Sequence, residues 1–226
     1  MKTLRLLLLT IFIAQPFQVL GLNNQEILYK FKGVSIHLVQ GDILDQSADI
    51  IVNPANPSLR HMGGLCDTIH TAAGPELEEE CLEFPEIIQD SDIRCKTGNA
   101  VITNAFNINA KYIIHTVGPD CRQEINNKEL LLKNSYKNSL ILANQKNVKS
   151  LALPAISVGI FSYPIEEAAK IAVETILNEI GNFKSVTDIY IILFNNQIHF
   201  DTYKKILDYK SLHIITKIYK TLVSYI

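Results

Sequence analysis

Between Asn53 and Cys66 the chain reads NPANPSLRHMGGLC, with two carboxamides three residues apart and a glycine pair just before a helix-forming run. A carboxamide offers donors and an acceptor together, which suits the hydroxyls of a sugar. Glycines ahead of a helix leave backbone N–H groups open to an anion. The same chemistry recurs in ISVGIFSYP, residues 156–164, where Ser157 and Gly159 stand between a buried apolar run and a helix. Taken singly, either turn is an ordinary strand-to-helix connection. Two such cradles together suit a diphosphate better than a single phosphate.

Other residues extend this chemistry. Phe161 follows the second turn and could cover a sugar, and Phe194 ends an apolar run where it could stack on a base or join the core. Asp42 follows the first strand-like stretch; it could cap the next turn or accept a hydrogen bond from a purine amino group. His70 and His115 fall in a helical and a strand-like run and are expected to satisfy buried hydrogen bonds. His61 lies on the glycine loop and is expected to be solvated. Cys66, Cys81, Cys95 and Cys121 match no zinc signature in their spacing, so neither metal nor cofactor is expected. An oxidising compartment would allow them three pairings, whereas small buried hydrophobes explain them without any.

The chain of 226 residues is long enough for one well-filled domain, and its net charge of −2 removes the simple electrostatic case for duplex nucleic acid. An anionic partner must then be held by local dipoles. Residues 1–21 carry Lys2 and Arg5, an apolar run from Leu6 to Ala14, and Val19 and Gly21 at cleavage-site spacing, the pattern of a secretory signal. The expected location is secreted or periplasmic. The run is short of the ~20 residues that span a bilayer, and an uncleaved anchor would need Phe17–Leu20 to lengthen it. A processed chain is expected to be monomeric and without a stable membrane span. The only Asn-x-Ser pattern, NPS, is blocked by its proline.

The elements that must position these residues alternate. KFKGVSIHLVQGD and ADIIVNPAN read as strands; a helix from Leu65 ends at Gly74, and Pro75 opens a second helix whose first turns are crowded with glutamates. NAVITNAF and AKYIIHTVGP follow so closely that they are expected to be antiparallel neighbours. A helix over about 128–147, the strand SLALPAI, a helix after Pro164 that ends at Gly181, the strand DIYIILF and a closing helix HFDTYKKIL complete the order. Such alternation implies a three-layer α/β/α sandwich on a mixed, mostly parallel sheet. Ligands of such sheets lie beyond the carboxyl ends of the strands, at Gly41-Asp42, Asn53–Asn56, Ser157–Phe161 and Phe194-Asn195.

GDILDQSADIIVNPAN, the GG before a helix ending AAGP, GNAVIT, AKYIIHTVGP and LPAISVGIFSYP together resemble the macrodomain family, the ADP-ribose-binding module, over about residues 33–207. The resemblance implies six strands and ADP-ribose, free or on modified protein, in a cleft at the strand ends. It divides the chain into a signal at 1–21, a lead-in at 22–32, the domain at 33–209 and an extension at 210–226. By position, Asp42 with Ile43 matches the adenine-recognising pair, and Phe194, beside Asn195, the aromatic on adenine. Gly63, Gly64 and Leu65 match the loop at the distal ribose and diphosphate. Ser157, Val158, Gly159, Ile160 and Phe161 match the second phosphate loop. Asn56 matches the asparagine that orients the distal ribose, the one candidate catalytic residue, while Asn53 is expected to hold the loop.

The hydrolytic branch usually has an aspartate ten residues after that asparagine, where this chain has Cys66. Asp67 is one helical step away, about 100° round the axis. The loop pattern is closest to macrodomains fused to poly-ADP-ribose polymerases, which have a GGL loop without that acid. Two readings follow: a mono-ADP-ribosyl hydrolase acting on modified protein or related ADP-ribose esters by water attack at the distal ribose, or a reader that binds without turnover. In the first, substrate phosphate and Asn56 position the water; a Cys66 thiol activated at the helix N-terminus is the lesser alternative. A third reading makes the chain an interaction protein through Ile214, Ile215, Ile218 and Leu222, which form a helical stripe in the extension.

Overall fold

The computed structural model describes residues 18–21, 24–123, 126–194 and 196–223. Its strands are β1 (Gln18–Gly21), β2 (Asn24–Phe31), β3 (Val34–Gln40), β4 (Ile50–Pro54), β5 (Ala100–Asn104), β6 (Tyr112–Thr116), β7 (Ser150–Pro154) and β8 (Asp188–Leu193). They form one sheet in the order β1-β2-β3-β8-β7-β4-β6-β5. The five inner strands β3, β8, β7, β4 and β6 run parallel, while β1 and β2 at one edge and β5 at the other are antiparallel. Among the described residues the sheet thus has eight strands where six were expected. Both additional strands come from the N-terminal side of Val34, where Ile27, Tyr29 and Phe31 alternate inward and pair against β3 through a tight turn at Lys32-Gly33.

The helices are α1 (Gly64–Ala73), α2 (Pro75–Glu83), α3 (Lys128–Gln145), α4 (Ile165–Glu179) and α5 (Gln197–Val223). One core lies on the α3–α4–α5 side, where Ile36, Leu38, Val52 and Leu153 meet Tyr136, Ala169, Val173 and Phe200. A second lies on the α1–α2 side, where Ile51, Ile113 and Ala152 meet Ile69, Ala73 and Leu77. β4 and β7 serve both cores and so read as continuous apolar runs, as doubly covered parallel strands do. The closing helix runs on through the extension, and Ile214 there is exposed. Ile215, Ile218 and Leu222 have side chains outside the described residues.

The neighbours β4 and β7 decide where a ligand can sit. Chain leaving β4 passes to α1 and the second core, whereas chain leaving β7 passes to α4 and the first core. They pair only at Ile50 with Leu151 and Ile51 with Ala152, although each stays paired with its other neighbour as far as Pro54 and Pro154. Beyond Ile51 the two strands part, opening a crevice at the topological switch point.

Candidate functional site

That crevice is a cleft of about 200 Å³, walled on one side by Pro54, Asn56, Met62, Gly63, Gly64, Leu65 and Cys66 and on the other by Pro154, Ala155, Ser157, Gly159, Ile160 and Phe161. The two glycine loops expected from the sequence therefore face each other across one site. Ile160 bridges them, with its Cδ1 lying 3.1 Å from where a Cβ on Gly64 would stand. Val158 is half-buried and packs into the core behind the loop.

On the first wall, Gly63 and Gly64 have φ of 70° and 58°, a conformation that leaves the start of α1 open. Asp67 N–H is the first donor to bond inside the helix, to Gly63 O, so the first-turn N–H groups of Gly64, Leu65 and Cys66 make no bond of that kind. On the second wall, Tyr163 N–H bonds Ser157 O and Ser162 N–H bonds Gly159 O, both at 2.9 Å, which folds the loop on itself. Helix α4 starts only at Ile165, so this cradle is a curled loop and not the helix N-terminus expected from the sequence; Pro164 delays the start. Ser157 has φ of 67° and a buried Oγ with no partner. Leu59, on the opposite loop, also has a left-handed φ, 62°. Strain of this kind persists where the surrounding structure over-determines it, and it concentrates at binding sites.

Among the described residues no charged side chain lines the cleft, so an anion there meets backbone N–H groups and the α1 dipole. The nearby cations are already engaged. Arg60 is 3.1 Å from Asp92 and 3.6 Å from Glu78, and Arg122 is bonded to Asp120 with its guanidinium 5.7 Å from the Phe161 ring. Asp67 points out of the cleft and bonds His61 Nδ1 at 2.8 Å. His61 is exposed, as expected of a loop residue, and its ring stands between Asp67 and Glu78.

The two asparagines divide the work differently from the expected assignment. Asn56 lines the cleft, yet its Oδ1 accepts from Ser58 N–H (3.0 Å), Ser58 Oγ (2.6 Å) and Arg60 N–H (3.4 Å), and its Nδ2 donates to Arg60 O at 2.5 Å. This Asx-type turn makes Asn56 the organiser of the loop, with one amide hydrogen left for a ligand. Asn53 is fully buried beneath it, and its Nδ2 reaches His115 Nδ1 (3.0 Å) and Cys66 Sγ (3.6 Å). Burial pushes the Cys66 thiol up, helped by the Asp67 carboxylate, so the activated thiol considered from sequence is not what the fold produces. All four cysteines are free.

At the far end of the crevice, Asp42 and Phe194 follow the adjacent strands β3 and β8, with Gly41 N–H bonded to Leu193 O at 3.3 Å. Asp42 Oδ1 caps Leu44 N–H at 2.9 Å, Ile43 is buried, and Phe194 is 67 % exposed at the strand end, as an aromatic awaiting a flat partner would be. Asn195 lies outside the described residues.

Sequence reasoning missed Gly118 and the group beneath the cleft. A Cβ on Gly118 would collide with Ser157 Oγ and stand 2.7 Å from Ile156 Cγ2, so this glycine sets how closely β6 approaches the second loop. His115 bonds Asn53 and Thr103 as expected. Neither ring nitrogen of the buried His70 has a partner, which corrects the expectation for that residue. Its ring packs against other imidazole rings, with centroid separations of 4.6 Å to His61 and 5.9 Å to His115.

Comparison with known proteins agrees with this architecture. The family model described as Macro domain matches residues 52–172. The chain is 43 % identical to the O-acetyl-ADP-ribose deacetylase of Escherichia coli strain K12 over 162 residues, 72 % of this chain and 89 % of that protein. Among solved structures, it superposes on the Oceanobacillus iheyensis macrodomain with ADP at a TM-score of 0.77 and 35 % identity, covering 86 % of this chain and 98 % of that one. The Trypanosoma brucei macrodomain in complex with ADP-ribose gives 0.66 and 28 %, covering 75 % and 68 %. A mixed sheet parting at its switch point, two facing glycine loops and these relatives lead to one conclusion: the chain belongs to the macrodomain family.

Proposed function

We propose that the protein binds ADP-ribose and hydrolyses ADP-ribose conjugates, either O-acyl esters or mono-ADP-ribosylated protein side chains, by water attack at the distal ribose. The observation that carries this reading is the cleft, whose two N–H-bearing loops face each other with no charged side chain between them among the described residues. A diphosphate between the first turn of α1 and the 157–161 loop would be held by dipoles, with adenine towards Asp42, Ile43 and Phe194 and the distal ribose towards Asn56. The E. coli relative is named as a deacetylase of such an ester.

Among the described residues no carboxylate or imidazole lines the cleft, and the Cys66 thiol is held protonated, so none of these side chains is suited to act as general base. Positioning then supplies the catalysis. Asn56, fixed by its four loop bonds, orients the ribose with its remaining N–H, and a phosphate oxygen of the ligand takes the proton of the attacking water. Water adds to the anomeric carbon of the distal ribose, or to the carbonyl of an ester on that ribose, the bond to the leaving group breaks, and the proton taken up by the phosphate passes to that group as it departs.

A reader without turnover is the second reading, and a specific comparison favours it. Solved variants of the Oceanobacillus iheyensis macrodomain replace an asparagine, a glycine seven residues later and an aspartate ten residues later. That spacing falls here on Asn56, Gly63 and Cys66, with a thiol at the place of the acid. Incubation with O-acetyl-ADP-ribose and with protein mono-ADP-ribosylated on acidic residues separates the two. Release of ADP-ribose supports the hydrolase; calorimetric binding of unaltered ligand without release supports the reader; absence of binding sinks both.

Export through the 1–21 leader belongs to the same proposal. Cleavage after Gly21 would remove β1, an edge strand paired only to β2, and spare both cores. Among the described residues no helix is long and apolar enough to cross a membrane. Mass spectrometry of the exported chain checks this: a mature N-terminus near Leu22 is expected, and an intact Met1 terminus in the cell body would refute it.

A further inference from the structure

Beneath the cleft wall, on the α1–α2 side of the sheet, three side chains from three elements converge: His70 from α1, Cys81 from α2 and His115 from β6. Their ligating atoms lie within 4.8 Å of one another and all three residues are buried. We propose that His70, Cys81 and His115 bind a zinc ion, as three protein ligands of a four-coordinate site. His70 carries the case. A fully packed imidazole with both nitrogens unpartnered forgoes the hydrogen bonds that buried polar groups almost always make. A metal bond would supply a partner for one of the two nitrogens.

The chemistry of the set suits zinc, which takes thiolate and imidazole ligands in a tetrahedral arrangement. Zinc bonds of about 2.0 Å to nitrogen and 2.3 Å to sulfur put tetrahedral ligand atoms about 3.3–3.6 Å apart. Cys81 Sγ and His115 Nε2, at 3.7 Å, are already close to this separation. Thr103 Oγ1 lies 3.0 Å from the same nitrogen and would give up that hydrogen bond to the metal. A ligating imidazole usually donates its other N–H to a carbonyl oxygen. Asn53 stands at His115 Nδ1, 3.0 Å away, and a half-turn of its carboxamide presents that oxygen. Binding is balanced by release of one proton, that of the Cys81 thiol, because both imidazoles enter neutral. After that half-turn the carboxamide oxygen takes the place of Nδ2 beside Cys66 Sγ, where the thiol would donate to it, so Asn53 links the site to the cleft wall.

The full chain, prepared without a metal-affinity step from zinc-supplemented medium and desalted, should carry about one zinc per molecule by plasma mass spectrometry. Cys81→Ser should lose it, while Cys95→Ser, a second buried thiol on the same side of the sheet, should keep it. Refolding the unmodified chain with cobalt(II) gives a result independent of whether a variant folds: thiolate-to-cobalt charge-transfer absorption with tetrahedral d–d bands is expected. A desalted chain without stoichiometric zinc, or a cobalt-refolded chain without thiolate absorption, would overturn the proposal, as would equal metal content in the Cys81 and Cys95 variants. None of these readouts depends on ADP-ribose binding or turnover.

Discussion

Asn56 acts at two levels at once, and its replacement separates them. Asn56→Ala removes three acceptor contacts and one donor from the loop, leaving Arg60 O and Ser58 to find new partners, at a cost of about 1–3 kcal/mol. It also removes the remaining N–H from the ribose end, so release of ADP-ribose should slow by about 10²–10³-fold, as when one preorganised donor is deleted. Cys66→Ala is the paired control. With its thiol held protonated by burial, Cys66 contributes packing and a weak contact to Asn53, so turnover should stay within about threefold while the thermal midpoint falls slightly. Parallel rate and melting measurements on both variants check the pair; a collapse of turnover in Cys66→Ala would return the thiol to the chemistry.

At the scale of elements, the cleft depends on how closely strands and loops approach. Gly118→Ala would push Ser157 and Ile156 outward, and overpacking of this kind costs about 1–3 kcal/mol. Because the displaced residues belong to the second cradle, calorimetry should show ligand affinity falling more steeply than stability. At the opposite end of the same strands, Asp49 clips three of them. Its Oδ2 accepts from Lys149 N–H (2.6 Å) and Ser150 N–H (3.3 Å), and its Oδ1 pairs with Lys111 at 2.8 Å. Burial opposes the charge, yet Lys111 and the two N–H groups hold the carboxyl below the usual range. The contribution is thus complete above the ordinary aspartate pKa of about 3.9 and is lost as pH falls through the lower folded value. Asp49→Ala should cost about 2 kcal/mol at pH 7, and urea titrations should show this difference shrinking as pH falls below about 4. A difference independent of pH would mean that the clip is not ionic.

For the whole molecule, α5 shows where the fold ends. Phe200, Tyr203 and Leu207 are fully buried against the sheet, Tyr29 Oη bonds Asp208 at 2.8 Å, and Lys210 pairs with Glu174 at 2.8 Å. Beyond these, Leu212 and Ile214 are exposed. Truncation after Ser211 should change stability by less than about 1 kcal/mol, as surface changes do. Truncation before Phe200 removes three core side chains worth about 2–5 kcal/mol each and should leave no folded domain. Circular dichroism melts of the two truncations decide this; a large loss on the shorter deletion would give the tail a structural partner.

Six of the eight strands, β3 to β8, the helices and both glycine cradles were legible in the linear chain, because periodicity and turn chemistry are local properties. The apolar runs at β4 and β7, the glycines at 63, 64 and 159 and the helix stop at Gly74 follow from neighbouring residues alone. What lay beyond the sequence depends on distance across the sheet. Asn53 and Asn56 have the same side chain three residues apart, and only the fold sends one inward to His115 and curls the other onto Ser58 and Arg60. The need for glycine at 118 arises from a loop nearly forty residues away. His70, Cys81 and His115 follow no metal-binding spacing, because they are neighbours through packing and not along the chain. Sequence determined which elements form and which loops can cradle an anion; tertiary structure decided which side chains share a buried space, since that proximity comes from strand order and helix packing.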